Sequence, residues 1–337
     1  MLSPVEKKWR LFRAWTSRRP VWCGWQVTYR CNFRCRFCNY WRDPLGRRSE
    51  PTIDDYQAGA LKLAKLGTLL ISLAGGEPLL RTDLPRIVEA VAQYHFPFVT
   101  TNGWLLTPRL ARDLMRAGVW GVSVSIDYAD PLKHDRRRGV DGAWERAWKA
   151  VEMLSDAREY EYQRVNVFAV LMDDNIDEIE PLLELAARRK AYFMVQPYGS
   201  LKTGSRAYEH NDGPVSPRLL EMRRRRRNFL SNPYYLGQFD RFLRGGGIDG
   251  CKAGRAFFNI DSTGDIAICV DRKGSPVANL YRDDVQEICR RLWKTSKGNT
   301  CRGCWYNCRG EVESLYSPKS LVASLPTLFL DRGAADS

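Results

Sequence analysis

Hydrophobic positions along the 337-residue chain follow two periods, which alternate from about residue 20 to about residue 200. Short apolar runs at 21–28, 69–73, 98–101, 119–126, 165–171 and 192–196 have the length of buried strands. Between them, the stretches 53–66, 84–94, 108–117, 143–157 and 176–189 repeat apolar residues at helical spacing, which predicts amphipathic helices. Six strands alternating with helices predict an α/β fold with a parallel sheet and right-handed crossovers. In such folds the chemistry gathers at the carboxyl ends of the strands.

That rule sorts the unusual residues. Cys31 follows the first strand, Gly75-Gly76-Glu77-Pro78 the second and Asn102-Gly103 the third, while Ser125 and Asp127 close the fourth. All fall on one rim, a coincidence that packing alone does not explain. Beyond residue 200 the alternation stops. Residues 199–214 read as loop, 218–230 as a basic helix and Gly245-Gly246-Gly247 as a flexible joint. Two short runs, 256–260 and 265–270, flank Asp261-Ser262-Thr263-Gly264 and predict a hairpin; a helix over 283–293 follows. No internal repeat of solenoid length is present.

Composition narrows the class. An apolar fraction of 44% with 12% aromatics fits a globular chain with a substantial core. No apolar run reaches the length of a membrane span. The first 20 residues are rich in Lys, Arg and Trp and lack the apolar centre of a secretory signal, so a cytoplasmic location is expected. The net charge of +14 comes partly from Lys7, Lys8, Arg10, Arg13, Arg18 and Arg19, and partly from the run 223–227. It favours anionic partners, or else it marks solvated helix faces. Trp9, Leu11, Phe12 and Trp15 among the first of these charges allow an amphipathic helix lying on an anionic membrane surface, peripheral to it.

Ten cysteines are many for a chain in a reducing compartment, and eight of them stand in two groups. Clustered thiols at short spacing read there as metal ligands rather than disulfides. Cys31-Asn32-Phe33-Arg34-Cys35-Arg36-Phe37-Cys38 places three thiols on one tight loop. Three thiolates can hold three irons of a four-iron cube and leave the fourth iron open for a ligand. A structural zinc site would want a fourth ligand nearby, and His95, His134 and His210 are all remote in sequence.

The C-x3-C-x2-C spacing, Phe37 before its last cysteine, and Gly75-Gly76-Glu77-Pro78 together resemble the radical S-adenosylmethionine (SAM) superfamily. The resemblance covers most of residues 20–310 and implies a partial (β/α)6 TIM-like barrel. It implies a 4Fe–4S cluster on Cys31, Cys35 and Cys38 whose open iron chelates SAM. It further implies reductive cleavage of SAM to a 5′-deoxyadenosyl radical that abstracts hydrogen from a substrate. By the same resemblance Gly75, Gly76 and Glu77 meet the methionyl ammonium, and Phe37 packs beside adenine. Ser125 and Asp127 contact the carboxylate and ribose, and Arg138 of the His134-Asp135-Arg136-Arg137-Arg138-Gly139 segment pairs with that carboxylate. Asn175 matches a polar position after the fifth strand, and capping the helix that begins at Ile176 is an equal reading.

The second group is Cys251 and Cys269 on either side of the hairpin, with Cys301, Cys304 and Cys308 after the next helix. It resembles the auxiliary-cluster extension called twitch, or a shortened SPASM domain, and implies one auxiliary 4Fe–4S cluster. Cys251, Cys269, Cys301 and Cys304 make one complete set, with Cys308 left over or replacing a member; zinc is the alternative metal. Cys23 and Cys289 read as core residues. The implied organisation is a basic extension at 1–19, the barrel at 20–245, the auxiliary-cluster domain at 246–315 and a tail at 316–337.

An auxiliary cluster suits an enzyme that oxidises or rearranges its substrate after hydrogen abstraction, as in dehydrogenases and peptide maturases of this family. The substrate class stays open between a small polar metabolite, a peptide and, through the aromatic-basic start and the apolar tail 321–330, a lipid. The roughly 20 residues before the barrel are too few for a leader-binding winged-helix domain. A low-potential electron donor of flavodoxin or ferredoxin type is implied as partner. No spacing singles out a catalytic acid or base. The alternative of another class is a non-catalytic redox or RNA-binding protein with structural metal sites. It leaves the Gly-Gly-Glu-Pro, Ser-Ile-Asp and His-Asp-x-x-Arg-Gly segments without a role, and no RNA-recognition module is visible.

Overall fold

The fold is described from a computed structural model, in which residues 3–17, 19–210 and 212–316 are defined. Alternation along the strands builds it. On β1 (Trp22–Thr28), Cys23, Trp25 and Val27 are fully buried on the helix side, while Trp22, Gly24 and Gln26 turn to the opposite face and line a cavity. The same alternation runs through β2 (Leu70–Gly75), β3 (Phe96–Thr101), β4 (Gly121–Ser125), β5 (Arg164–Leu171) and β6 (Tyr192–Pro197). The helix-side core that results includes Ile71, Leu73, Val99, Val122, Val124, Val165 and Val167, all fully buried. Each such side chain contributes about 1.5–3 kcal/mol.

These six strands pair in parallel in chain order, as a partial barrel requires. Helices α2 (Ile53–Leu66), α3 (Leu84–Ala92), α4 (Pro108–Arg116), α5 (Pro131–Arg138), α6 (Ala143–Asp156) and α7 (Ile179–Arg188) fall between them. Helix α2 shows how sharply the sequence sets its ends. Thr52 and Asp55 form a reciprocal capping box at its start, and Gly67, at φ +102°, closes it.

The sheet does not end at β1. Strand β7 (Phe257–Ile260) runs parallel to β1 on its free edge, and β8 (Asp265–Ala267) and β9 (Ala278–Asn279) continue antiparallel. The order is therefore β6-β5-β4-β3-β2-β1-β7-β8-β9. Helices α8 (Ser216–Arg225), α9 (Pro233–Leu236), α10 (Phe239–Arg241), α11 (Val285–Lys297) and α12 (Asn307–Ser314) complete the described chain, and α12 packs against α9, β1 and β7.

Four local expectations are corrected. The basic helix α8 stops at Arg225 rather than 230, because the Phe193 N–H and carbonyl capture the Asn228 carbonyl and the Leu230 N–H, each at 2.8 Å, along the free edge of β6. Helix α11 begins at Val285 because the Asp284 carboxylate caps the Gln286 and Glu287 N–H groups at 2.8 and 2.9 Å. The Gly245–Gly247 segment is a wound turn, and Arg302 holds it through the Gly246 carbonyl and the Ile248 N–H. Asn175 makes no capping bond with its side chain; it ties the end of β5 to the Asp127 carbonyl at 2.9 Å.

The expected N-terminal helix forms as α1 (Pro4–Thr16), and it docks on the body of the protein. The Lys7 ammonium, buried and lowered to about 8 by that burial, donates to the Ala92 carbonyl at 2.6 Å. Trp15 Nε1 donates to the Leu315 carbonyl at 3.0 Å. Trp9 and Phe12 stay on its outer side, 59% and 48% exposed. Among the described residues no helix is long and apolar enough to cross a membrane. The apolar stretch 321–330 lies outside the described residues.

Candidate active site

One cavity of about 470 Å³ opens at the carboxyl ends of the strands and runs into the barrel. Cys31, Cys35 and Cys38 stand at its mouth, in a small apolar cluster with Phe33, Phe37, Met172 and Tyr198. The loop that carries them is held from two sides. Asn102 Nδ2, at the end of β3, donates to Asn32 Oδ1 at 2.8 Å, and the Arg36 N–H donates to the Arg137 carbonyl at 3.3 Å. All ten cysteines are free thiols. Burial pushes Cys31 up to about 12 and Cys35 up to about 11, so as bare thiols both stay protonated at neutral pH. Metal binding would displace those protons.

The Gly-Gly-Glu-Pro segment has a packing role besides the one the resemblance implies. Gly75 sits at φ +141°, and a Cβ there would run into the Thr28 carbonyl oxygen; a Cβ on Gly76 would run into that of Arg30. The glycines thus let the turn after β2 close on the chain entering the cysteine loop, with the Gly76 and Glu77 N–H groups bonding Thr28 and Arg30 carbonyls at 2.9 and 2.8 Å. Glu77 is buried, its affinity for a proton raised by that burial. It accepts from Thr101 Oγ1 at 2.6 Å, the Asn102 N–H at 2.7 Å and the Leu79 N–H at 3.0 Å. It lines the cavity with Gly75 and Gly76.

Ser125 and Arg138 line the cavity, but Asp127 does not. Asp127 is fully buried behind Arg138. Its Oδ2 accepts from two guanidinium nitrogens at 2.8 and 2.6 Å, and its Oδ1 from the Val170 N–H at 2.9 Å. Asp127 therefore aims Arg138, whose guanidinium lies 5.2 Å from the Phe37 ring centre and beside Cys35. The short helix α5, unforeseen from the pattern, carries Arg138 to this spot.

The second cysteine group meets the same cavity from the other side, where Cys269 and Cys308 form part of the wall. Cys251, Cys269, Cys304 and Cys308 come together. Beyond the effect of burial, Cys304 feels the charges of Cys251 and Cys269, and Cys308 feels those of Cys304 and Cys269. Lys202 stands between the two groups. Its ammonium lies 5.4 Å from the Tyr40 ring centre, 4.7 Å from that of Tyr306 and 3.6 Å from Asp271, and it feels the charge of Cys38 as Cys308 feels its own. Cys23 faces the helix-side core and Cys289 lies half-buried on α11, both apart from the cavity.

No three His, Cys, Asp or Glu side chains among the described residues converge as ligands of a single metal ion. A four-iron cube binds each thiolate to a different iron, so its ligands are spread apart. Three thiols on one held loop, beside a buried carboxylate and a buried guanidinium, suit such a cube and a zwitterionic ligand next to it. The class of molecule is an enzyme that works with a cluster and a small ligand at the carboxyl rim of a partial barrel.

Residues 25–186 match the radical SAM superfamily. The chain is 30% identical over 290 residues to a GTP 3′,8-cyclase of Tolumonas auensis, covering 80% of this chain and 84% of that one. It is 25% identical to the mycofactocin maturase MftC of Mycolicibacterium smegmatis, covering 86% of this chain and 77% of the relative. Against an AdoMet-dependent heme synthase of Methanosarcina barkeri it is 33% identical over 171 residues, and it spans about half (48%) of that relative's length. In fold it is similar to Streptococcus suis SuiB bound to the precursor peptide SuiA, with a TM-score of 0.67 at 16% identity over 94% of this chain and 79% of that one. It is similar also to anSMEcpe with bound AdoMet, with a TM-score of 0.60 at 15% identity over 82% and 83% of the two chains. The chain belongs to the radical SAM superfamily, and that membership brings a 4Fe–4S cluster and SAM.

Sequence reasoning missed two residues of this site. Glu311 and Lys202 both line the cavity. Lys202 lies in the loop 199–214 and Glu311 on α12, neither within a recognisable motif.

Proposed function

We propose that the protein cleaves SAM reductively at Cys31, Cys35 and Cys38 and acts on a substrate held in the barrel cavity, with an auxiliary 4Fe–4S cluster on Cys251, Cys269, Cys304 and Cys308. The observation that carries this reading is that two separate cysteine groups open into one cavity. A cluster held by Cys31, Cys35 and Cys38, reduced and with SAM bound beside it, would supply the radical chemistry that takes a hydrogen atom from the substrate. The chain's own residues do the rest. Glu77, Ser125 and Arg138 bind the cosubstrate, Arg138 is aimed by Asp127, and Phe37 flanks the adenine. The apolar wall of Phe98, Phe168, Met194 and Phe257 keeps water from a reactive site.

The second cysteine group gives the substrate an oxidant or a ligand within the same chamber, which favours oxidation or rearrangement after hydrogen abstraction. It marks residues 246–315 as a twitch- or SPASM-like region, after a barrel at 20–245 and an extension at 1–19, even though β7 shares the sheet of β1. A peptide substrate is supported by the fold shared with SuiB, which binds a precursor peptide, and by the likeness to a maturase. A small polar metabolite is the second reading, supported by the cyclase relative. The electron donor is a low-potential flavodoxin or ferredoxin type.

The test is anaerobic reconstitution with iron and sulfide, then reduction in the presence of SAM. Wild type makes 5′-deoxyadenosine, and the Cys31/Cys35/Cys38→Ala triple variant makes none. Cluster-loaded, folded wild type that makes no more than the variant, and shows no SAM-dependent change in its cluster spectrum, overturns the reading.

A further inference from the structure

Two cavity-lining carboxylates among the described residues differ in how fully they are used. Glu77 takes three donors. Glu311, on α12, takes one: the Asn232 N–H, at 3.1 and 3.3 Å from its two oxygens. An ionised carboxylate offers about four acceptor positions. On the same helix Glu313 has a charged partner, the Arg309 guanidinium at 3.2 Å, and accepts also from the Lys252 N–H at 2.8 Å. No ion pair reaches Glu311 among the described residues. Arg223 is near enough to favour its charge, but its Nε donates to the Ser231 carbonyl at 3.3 Å.

We infer that Glu311 anchors the substrate by receiving a positively charged nitrogen, the ammonium or guanidinium at the end of an alkyl chain. This rests on the reading that the cavity holds the substrate. A half-buried carboxylate on a cavity wall with unfilled acceptor positions is costly unless paired, and a cation with N–H donors is the complement that fills them. Leu230, Met194, Phe168, Val312 and Leu315 line the same cavity and suit an aliphatic stem behind the charged head. Burial pushes the Glu311 carboxyl up to about 7, so near neutral pH the pocket holds a group that an incoming cation would ionise fully. The titratable groups facing it are Arg223 of α8 and Tyr235 of α9. Trp22, Gly24, Gln26, Phe257 and Asn259, from β1 and β7, carry no charge there. The basic surface of the protein and the acidic anchor of its cavity thus select for different things.

The experiment uses the full, cluster-loaded chain with SAM, held anaerobically and titrated with n-hexylammonium, 1-hexanol and N-acetyl-lysine amide. At pH 8 wild type binds at least one of the two cations about tenfold more tightly than the alcohol, the size of one charge-assisted hydrogen bond. A free amine and a peptide side chain are told apart by which cation binds. The preference falls at pH 5.5 and vanishes in Glu311→Gln, while Glu311→Asp keeps part of it and controls for folding. A cation preference that survives in Glu311→Gln, or equal binding of cation and alcohol by wild type, overturns the inference. Deoxyadenosine formation by wild type separates the two levels. If wild type makes it but shows no cation preference, this inference alone fails; if wild type makes none, the reading beneath it fails.

Discussion

The two cysteine groups of this protein are built in opposite ways. The first lies on eight consecutive residues and is braced from outside by Asn102 and Arg137. The second is gathered from a loop before β7, the end of β8 and the segment around α12, so four thiols drawn from residues 251–308 meet only once the sheet and that helix are in place. A local site is fixed by its loop. A dispersed site is fixed by the fold, and its ligands follow from packing rather than spacing. Cys301 shows the difference. It stands in an attractive C-x2-C pair with Cys304, yet the Asn299 Oδ1 accepts its N–H in a local turn at 3.2 Å, and the proposed set takes Cys308, in the first turn of α12, in its place.

Four measurements sharpen or break this contrast. The largest effect falls on the local site. The triple variant of Cys31, Cys35 and Cys38 should lose deoxyadenosine formation altogether and about four irons per chain, while the iron at the dispersed site remains. The second tests the ligand set. Cys308→Ala or Cys304→Ala should remove the dispersed cluster's spectrum, and Cys301→Ala should leave the iron count unchanged; the reverse result restores Cys301 to the set. The third removes the aim of Arg138. Asp127→Asn leaves a buried guanidinium without its counter-charge, and breaking such a pair costs about 3–5 kcal/mol in stability, read as a lowered denaturant midpoint with weakened SAM binding. The smallest is a matter of pH. The folded-state pKa of Glu311 is raised from 4.5 to about 7, so the native state binds the extra proton and loses stability as pH rises through that window. Glu311→Gln should therefore gain stability over wild type as pH goes from 5 to 8, measured by thermal melts at each pH. A gap that is constant across the window sinks this assignment.

How much could be read beforehand follows the same divide. The six strands, their rim and the front cysteine loop were legible because each is encoded within a dozen residues. Helix α5 was not, since six of the ten residues from Asp130 to Gly139 are charged and no apolar stripe shows; it is fixed by its cap and by the Arg138–Asp127 pair. Asp127 itself was legible as a site residue, but its place behind Arg138 depends on how β4 and α5 meet. Glu311 and Lys202 carry no local signal, because what distinguishes them is the cavity around them.

The pairing of β1 with β7 joins residues 22–25 to residues 257–260. As the chain leaves the ribosome, β2 arrives early to cover one edge of β1, but the other edge waits for more than two hundred further residues. For that interval a strand rich in buried Trp, Val and Cys offers unpaired backbone to any neighbour, directly before the loop meant to receive iron. The closing of that edge therefore comes late in synthesis. It makes the N-terminal half dependent on the C-terminal one, and it predicts that truncation before residue 257 yields a chain that aggregates through β1 rather than a smaller working barrel.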